Sequence, residues 1–284
     1  MPTDSVTLPR FRPIAINALY SSIQRGLSAD ILAARGLDGT AFPVCTTLAV
    51  AGRGVVTDVL NVPTDTVAAQ LEHLFETSAP TSAKVSIVGH RRTVDAVFDL
   101  LAQHLDGPLV LDLTLSGPSG EDIVSQRCME ALTNQLEHPD LVAVRRQDAA
   151  LLAGMEIPSL DDAQVAVQRI ADLGAQRVLL RCGQIATHHF DTDSDLPEYA
   201  VDLYYDGEDF ALYEAPLLDT TDVHGASSAL LMGLLRELET DTDLTDALQH
   251  AKAHVTEALR HGQQDETLAA PDYFWTYMEG IATS

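Results

Sequence analysis

Residues 219–240, DTTDVHGASSALLMGLLRELET, do more than any other stretch of this sequence to decide the fold. A polar segment that ends in Gly225 runs directly into an apolar run with the length of a helix. Because glycine adopts tight-turn backbone conformations easily, the pattern predicts a turn that delivers the N-terminus of a buried helix. The free N–H groups and the dipole of such a terminus attract anions. The stretch therefore predicts an anion-binding turn.

Short apolar runs alternate with helix-length amphipathic segments along the rest of the chain, which predicts a parallel sheet with crossover helices. The predicted strands are 13–17, 41–49, 83–88, 109–113, 141–144, 177–181, 200–205 and 210–214. The last two flank Asp206-Gly207, a hairpin signal. The predicted helices are 28–35, 64–76, 93–104, 121–136, 147–153, 160–173, 226–239 and 244–261.

Composition excludes several classes of protein. The 284 residues carry 42 acidic against 17 basic side chains, a net charge of −25, and such a field repels nucleic acid and anionic membranes. This acidity fits either adaptation to a salty cell interior or an ordinary acidic enzyme. No apolar run reaches the roughly 20 residues that a membrane helix needs, and no signal peptide is recognisable. Three widely spaced cysteines give no disulfide framework or metal pattern, so we expect a soluble cytoplasmic protein.

The sequence predicts one domain over 1–262 and a distinct C-terminal tail over 263–284. The composition changes after His261, where a polar hinge precedes an aromatic cluster. The aromatic side chains of this cluster are Tyr273, Phe274, Trp275 and Tyr277. We expect them to pack on their own domain or, alternatively, on a dimer partner.

Several motifs resemble one known family. The stretch 224–228, His-Gly-Ala-Ser-Ser, is similar to its H-G-T-G-C or H-G-T-G-D turn. Residues 178–184 resemble V-L-L-K-G-G-H, 110–112 resemble V-L-D, and 84–89 resemble K-x-G-M-L-G. The chain thus resembles the hydroxymethylpyrimidine/phosphomethylpyrimidine kinases of thiamine biosynthesis, in the ribokinase-like superfamily, with pyridoxal and pyridoxine kinases next.

The resemblance implies a three-layer α/β/α fold with a mostly parallel central sheet and a site at the carboxyl ends of its strands. It further implies a homodimeric phosphotransferase that uses ATP and Mg²⁺ on a small pyrimidine or pyridine alcohol. It places the catalytic turn at Gly225, Ala226, Ser227 and Ser228, and ATP or phosphate contacts at Lys84, Arg145, Asp148, Arg181 and Gly183. Substrate contacts fall on Tyr20, Ser21, Val50 and Ser86, and magnesium ligands on Asp112 and Asp148.

The departures from the family pattern fall on these functional positions. Ser228 stands where the family has its Cys or Asp base, and an unassisted hydroxyl accepts a proton poorly near neutral pH. Ser227 replaces a glycine, and Arg145 replaces the Asn of N-x-x-E. Arg145 is either a phosphate contact or a surface arginine. The chain is therefore either an active kinase, a degraded homologue that binds a ligand or partner without turnover, or a pyridoxal-type kinase with another base.

Other polar clusters have simpler interpretations. His188 and His189 precede three aspartates within 191–195, which indicates a solvated acidic loop more than a metal site. His250 and His254 lie one helical turn apart and are expected on a polar face. His224 is expected to brace the turn, with a role as base as the alternative.

Overall fold

The computed structural model describes residues 10–21, 25–52, 55–117, 120, 123–188, 198–218, 224–265 and 268–275. Within these residues, nine strands form one sheet in the order β3-β2-β1-β4-β5-β6-β7-β8-β9, and two short strands pair separately. The strands are β1 Pro13–Tyr20, β2 Phe42–Gly52, β3 Val55–Asn61, β4 Ser82–Val85, β5 Leu109–Leu113, β6 Leu141–Arg145, β7 Val178–Gly183, β8 Tyr199–Tyr205, β9 Phe210–Pro216, β10 Gln263–Asp265 and β11 Leu268–Ala270. The helices are α1 Leu27–Gly36, α2 Thr64–Thr77, α3 Arg91–His104, α4 Gln126–Thr133, α5 Arg146–Ala153, α6 Leu160–Asp172, α7 Ala226–Leu238 and α8 Leu244–His261.

The sheet lies between two layers of helices, because its strands alternate apolar side chains between two cores. On β1, Ile14 and Ile16 join the core under helices α2 to α6, whereas Ala15 joins the core under α1, α7 and α8. On β7, Leu180 joins the core under α2 to α6, and Leu179 joins the core under α1, α7 and α8. A strand that is buried on both faces reads as a continuous apolar run, which is why the central strands were visible in the sequence. The predicted three-layer fold is confirmed.

Strands β2, β1, β4, β5, β6 and β7 run parallel, so their carboxyl ends meet at one edge of the sheet. The predicted hairpin at 206–207 is confirmed, because β7, β8 and β9 pair antiparallel. Helix α7 begins directly after Gly225, which has a φ of +82°, in the left-handed region that glycine adopts at little cost.

Three predictions about the elements are wrong. The edge strand β3 was missed, as were the short β10 and β11, because edge strands need no strict alternation of apolar and polar residues. The helix expected over 121–136 is observed from Gln126 to Thr133, where Ser125 caps it by accepting the backbone N–H of Cys128. The strand expected over 83–88 ends at Val85, and the chain leaves the sheet there to enter the site.

The described part of the C-terminal tail packs on its own chain. Tyr273 is buried in the core under α1, α7 and α8, and the Trp275 ring stacks on His261 with ring centroids 5.6 Å apart. Tyr277 lies outside the described residues. No described helix is both long and apolar enough to cross a membrane. The expectations of a homodimer and of a cytoplasmic location stay predictions.

Candidate active site

A cavity of about 380 Å³ opens at the carboxyl edge of the parallel strands, beside the N-terminus of α7. Asn17, Lys84, Asp112, Arg145 and Arg181 reach it from β1, β4, β5, β6 and β7 in turn. The turn over 224–228 closes its far side. Parallel strands thus gather at one place residues that are widely separated in the sequence.

The lining of this first cavity is cationic, in contrast to the chain as a whole. Arg25, Lys84, Arg145 and Arg181 face it, and Asp112 is the one carboxylate among its lining residues. The whole chain has only 17 Lys and Arg against 42 Asp and Glu. Four cations beside a helix N-terminus favour an anion at this place, although the overall charge of the chain repels anions.

Lys84 lies at the floor of the cavity between two carboxylates. Its Nζ is 2.8 Å from Asp30 Oδ1 and 3.3 Å from Asp112 Oδ2, and its side chain is only 1% exposed. Asn17 Nδ2 donates to the other oxygen of Asp30 at 2.9 Å. Burial alone would lower the pKa of Lys84, but the attraction of the two carboxylates outweighs it and the pKa is raised. The lysine therefore stays charged.

Asp112 connects Lys84 to the turn at the start of α7. Its Oδ1 accepts a hydrogen bond from Arg181 Nη2 at 2.8 Å, and its Oδ2 accepts one from Ser227 Oγ at 2.7 Å. Burial alone would raise the pKa of Asp112, but the positive charges of Arg181 and Lys84 outweigh this effect and lower the pKa to about 2. Asp112 is consequently a fixed negative charge that orients cations and is a weak proton acceptor.

Arg181 carries an unsatisfied donor. Its Nη2 is paired with Asp112, but its Nε is buried without a hydrogen-bond partner in the described structure. A buried donor without a partner costs free energy, and an anion in the cavity would remove that cost. The Nε–H group of Arg181 can therefore donate a hydrogen bond to an additional acceptor in the cavity.

His224 and Arg25 meet across the mouth of the cavity. Arg25 Nε lies 2.5 Å from His224 Nδ1, and Arg25 Nη2 lies 2.8 Å from Nε2. A guanidinium group has no acceptor, and a neutral imidazole accepts at one nitrogen, so one of the two contacts is a true hydrogen bond. The contact needs a neutral ring, and it fits the predicted bracing role of His224.

Arg145 is held from behind by Asp148. Its Nε and Nη2 both donate hydrogen bonds to Asp148 Oδ2, at 2.9 Å and 2.7 Å. The other oxygen of Asp148 accepts from the backbone and the hydroxyl of Ser116. Asp148 has no exposed surface and does not line this cavity, whereas Arg145 does. Of the two interpretations of Arg145, this placement favours the phosphate contact.

A second cavity, of about 550 Å³, adjoins the first. The two share Arg145, Arg181, Ala226 and Ser227. The lining of the second cavity is mainly apolar and comes from β8, β9, α7 and α8; it includes Ala200, Ala215, Pro216, Leu217, Leu230, Val255 and Leu259. Such a lining fits a flat, weakly polar ring system.

A buried ion pair lines this second cavity. Lys252 Nζ lies 2.7 Å from Asp202 Oδ2, and both side chains are at most 10% exposed. Neither residue was predicted from the sequence as a site residue, and Arg25 was not predicted either. One signal was available, because Lys252 is one of only two lysines in the chain and lies on an otherwise apolar helix face.

The structure brings most of the predicted site residues together. The first cavity is lined by Tyr20, Lys84, Ser86, Asp112, Arg145, Arg181, Gly225, Ala226, Ser227 and Ser228, and Gly183 lines the second. Three predicted residues line neither cavity. Ser21 exchanges hydrogen bonds with the backbone of Ala51, Val50 is 52% exposed on β2, and Asp148 lies behind Arg145.

Only one of the two predicted magnesium ligands faces the site. The described residues contain no group of three or more His, Cys, Asp or Glu side chains that could hold a metal ion. Mg²⁺ commonly uses one or two carboxylates and completes its shell with water and substrate phosphates. The ionised, cavity-facing Asp112 fits that role, whereas Asp148 is directed at Arg145 and Ser116. The assignment of Asp148 to magnesium stays a prediction.

The described residues of the other predicted clusters, His188, His250 and His254, line neither cavity. His188 Nδ1 lies 3.2 Å from Asp161 Oδ2, and the rest of that loop, residues 189–197, lies outside the described residues. The polar-face prediction holds for His250, which contacts Glu237, while His254 is half-buried beside Trp275. Cys182 is buried in the core under α2 to α6, and burial raises the pKa of its thiol to about 12, so the reactive thiolate form is disfavoured.

The sequence matches a family model described as phosphomethylpyrimidine kinase over residues 22–271. The chain belongs to the phosphomethylpyrimidine kinase family. It is 30% identical to the hydroxymethylpyrimidine/phosphomethylpyrimidine kinase of Aquifex aeolicus, over 88% of this chain and 95% of that protein. Its identity to the Haemophilus influenzae protein of the same name is 27%, over 89% and 92%.

Solved structures share the fold. The pyridoxal kinase of Bacillus subtilis, solved as an ADP complex, matches with a TM-score of 0.79 and 22% identity, covering 93% of this chain and 97% of that one. The phosphomethylpyrimidine kinase of Clostridium difficile matches with a TM-score of 0.71 and 20% identity, covering 88% and 99%. The fold is ribokinase-like, as the sequence motifs implied.

Proposed function

We propose that this protein is an ATP-dependent kinase that phosphorylates hydroxymethylpyrimidine or its monophosphate. One observation carries the proposal: Arg145, Arg181 and the N-terminus of α7 meet where a polar cavity, lined by two further cations, joins an apolar cavity. Phosphoryl transfer needs such an arrangement, because its transition state spreads negative charge over the transferred group. The family membership supplies the class of reaction, and the names of the family relatives supply the acceptor.

The two cavities suggest how the substrates divide. The nucleotide base fits the larger, apolar cavity, and the acceptor alcohol fits the smaller, polar one. Arg145, Arg181 and the backbone N–H groups at the start of α7 lie at their junction, where the γ-phosphoryl group would pass between them. The buried Nε of Arg181, which lacks a partner in the described structure, would gain one from a phosphoryl oxygen.

The reaction moves one phosphoryl group. The oxygen of the acceptor hydroxyl attacks the γ-phosphorus, the bond to the β-phosphate oxygen breaks, and ADP leaves. The hydroxyl proton passes to an oxygen of the transferred group, because Ser228 is neutral and Asp112 is a weak base. Asp112 would hold Mg²⁺ together with the nucleotide phosphates, and the bound ion would neutralise part of the phosphate charge. Fixed cations and positioning supply the rest of the stabilisation.

A second candidate function follows from Ser228. With a hydroxyl at the position of the family base, the protein would bind the nucleotide and the pyrimidine without turning them over. Binding and turnover both need the same cationic junction. Activity must therefore be measured directly.

The test is ADP release from Mg·ATP with hydroxymethylpyrimidine, its monophosphate and pyridoxal as separate acceptors, at low and at molar salt. The proposal expects release that depends on a pyrimidine acceptor and persists in Ser228→Ala. Faster release with Ser228→Cys or Ser228→Asp would show that the missing base limits the rate. ADP release with pyridoxal alone would mean that the acceptor is a pyridine alcohol and not a pyrimidine. Nucleotide binding without release at either salt would establish the non-catalytic alternative.

A further inference from the structure

The C-terminal tail reaches the catalytic turn. The family match ends at residue 271, yet Tyr273 beyond it donates a hydrogen bond from its hydroxyl to the carbonyl oxygen of Gly225 at 3.2 Å. Tyr273 is only 3% exposed. A tail residue outside the shared family region thus contacts the residue that opens the anion-binding turn.

The tail is fixed on both sides of this contact. The backbone N–H of Asp272 donates to the carbonyl oxygen of Ala258 on α8 at 2.8 Å. The carbonyl group of Tyr273 lies directly against Gly36 at the end of α1, where a Cβ would come within 1.8 Å of its oxygen. The N–H of Phe274 is bound by the Asp272 side chain at 2.9 Å. The hydroxyl of Tyr273 is therefore presented to the turn by a rigid support.

The contact acts on the peptide group that faces the anion. Gly225 O accepts hydrogen bonds from both the Tyr273 hydroxyl and the N–H of Ala229, at 3.2 Å and 3.0 Å. In a trans peptide the C=O and the following N–H point in opposite directions. Fixing this carbonyl group therefore fixes the N–H of Ala226, which has no partner inside the helix and lines both cavities.

The hydroxyl group keeps its proton under ordinary conditions. Burial, with a further contribution from the Asp30 carboxylate, raises the pKa of Tyr273. The side chain consequently remains a hydrogen-bond donor across the pH range in which kinases are assayed.

We infer that Tyr273 is a positioning residue of the catalytic turn: its hydroxyl group orients the 225–226 peptide so that the N–H of Ala226 points at the transferring phosphate. This inference rests on the proposed function, because it needs a phosphate at that place. Tyr273 touches no reacting atom itself. It acts through the backbone that binds the anion.

The test compares Tyr273→Phe, which removes one oxygen and keeps the ring, with Phe274→Leu, an exposed neighbour that contacts no cavity. The probes are inorganic pyrophosphate and ADP, measured by calorimetry, together with kcat and KM for the acceptor. Loss of one hydrogen bond predicts about 3- to 10-fold weaker pyrophosphate binding and a similar fall in kcat in Tyr273→Phe. KM for the acceptor and the melting temperature should stay near the wild-type values, and Phe274→Leu should resemble wild type throughout.

Hydrogen exchange of the 225–232 amides adds a readout that a distant packing role would not move. It should accelerate in Tyr273→Phe and not in Phe274→Leu. Equal pyrophosphate affinity and equal exchange in wild type and Tyr273→Phe would overturn the inference and leave the proposed kinase intact. If wild-type protein binds neither pyrophosphate nor ADP, the proposed function fails first and the inference falls with it.

Discussion

The two adjoining cavities are built on different principles. The first is small and polar, and its charges come from the ends of parallel strands, with Lys84 shared between two carboxylates. The second is larger and mainly apolar; it holds the ion pair between Lys252 and Asp202, and its charged edge, with Arg146, is the junction that it shares with the first. The first is suited to recognise charge, and the second to recognise a ring by shape. In the first cavity, the ends of parallel strands hold charged side chains at fixed distances. In the second cavity, helices and a hairpin form an apolar surface.

The two lysines give the largest expected effect. Lys84→Met should lower the free energy of unfolding by about 3–5 kcal/mol, because it leaves Asp30 buried without a cation and Asp112 with Arg181 alone. Lys252→Met removes the cation beside one carboxylate, Asp202, instead of two, so it should lower the free energy of unfolding by less. Urea denaturation of both variants measures the comparison. An equal or greater loss in Lys252→Met would contradict the idea that the first cavity holds the more strongly coupled charges.

Removing the charge at the junction should affect the chemistry more than the fold. Arg181→Gln is expected to lower kcat by about 10²- to 10³-fold, the usual effect of losing one preorganised donor to a transition state. Asp112 keeps Lys84 and Ser227 as partners, so the melting temperature should change little. Steady-state kinetics and a thermal scan test this. A fall in ATP affinity with unchanged kcat would place Arg181 in ground-state binding only.

Acid should affect the first cavity selectively. The folded pKa of Asp112 is about 2, below the unfolded value of 3.8, so its stabilising contribution is complete above pH 4 and is lost as the pH falls towards 2. The expected contribution is about 2 kcal/mol. Denaturation of wild type and Asp112→Asn across this range isolates the effect, and the slope should be smaller in the variant. Parallel slopes would mean that the carboxylate is not held by its cations.

The smallest effect concerns the shape of the second cavity. Val255→Phe places a ring into the apolar lining and should raise KM for ATP by about tenfold while KM for the acceptor stays the same. Val165→Phe, on the exposed face of α6, is the matched control. If the acceptor KM rises instead, the assignment of the nucleotide to the second cavity is reversed.

The sequence predicted the first cavity far better than the second. Lys84, Asp112 and Arg181 each lie in or directly after an apolar run, and parallel strands necessarily bring such positions to one edge. The anion-binding turn was visible because Gly225 precedes a long apolar helix. Fold class and charge clustering thus follow from local patterns that repeat along the chain.

The second cavity has no such pattern. Its wall joins β8, β9, α7 and α8, and its apolar residues look like ordinary core residues until the chain is folded. Val50, predicted as a substrate contact, is exposed on β2 and lines neither cavity, because motif spacing does not reveal which face of a strand turns outward. Alignment to a motif gave Asp148 a metal role, but its orientation depends on Arg145 and Ser116, which only tertiary structure brings to it.

Both lysines of this protein are buried, at 1% and 8% exposure, which has a practical consequence. Both ammonium groups are also ion-paired with carboxylates, so we expect reagents that acylate primary amines to modify them slowly in the native state and faster when the surrounding cavity opens. The mass of each lysine-containing peptide after timed acylation therefore reports separately on the opening of each cavity. Carboxyl-directed coupling, with 42 acidic side chains available in the sequence, is the better chemistry for attaching the folded protein to a surface.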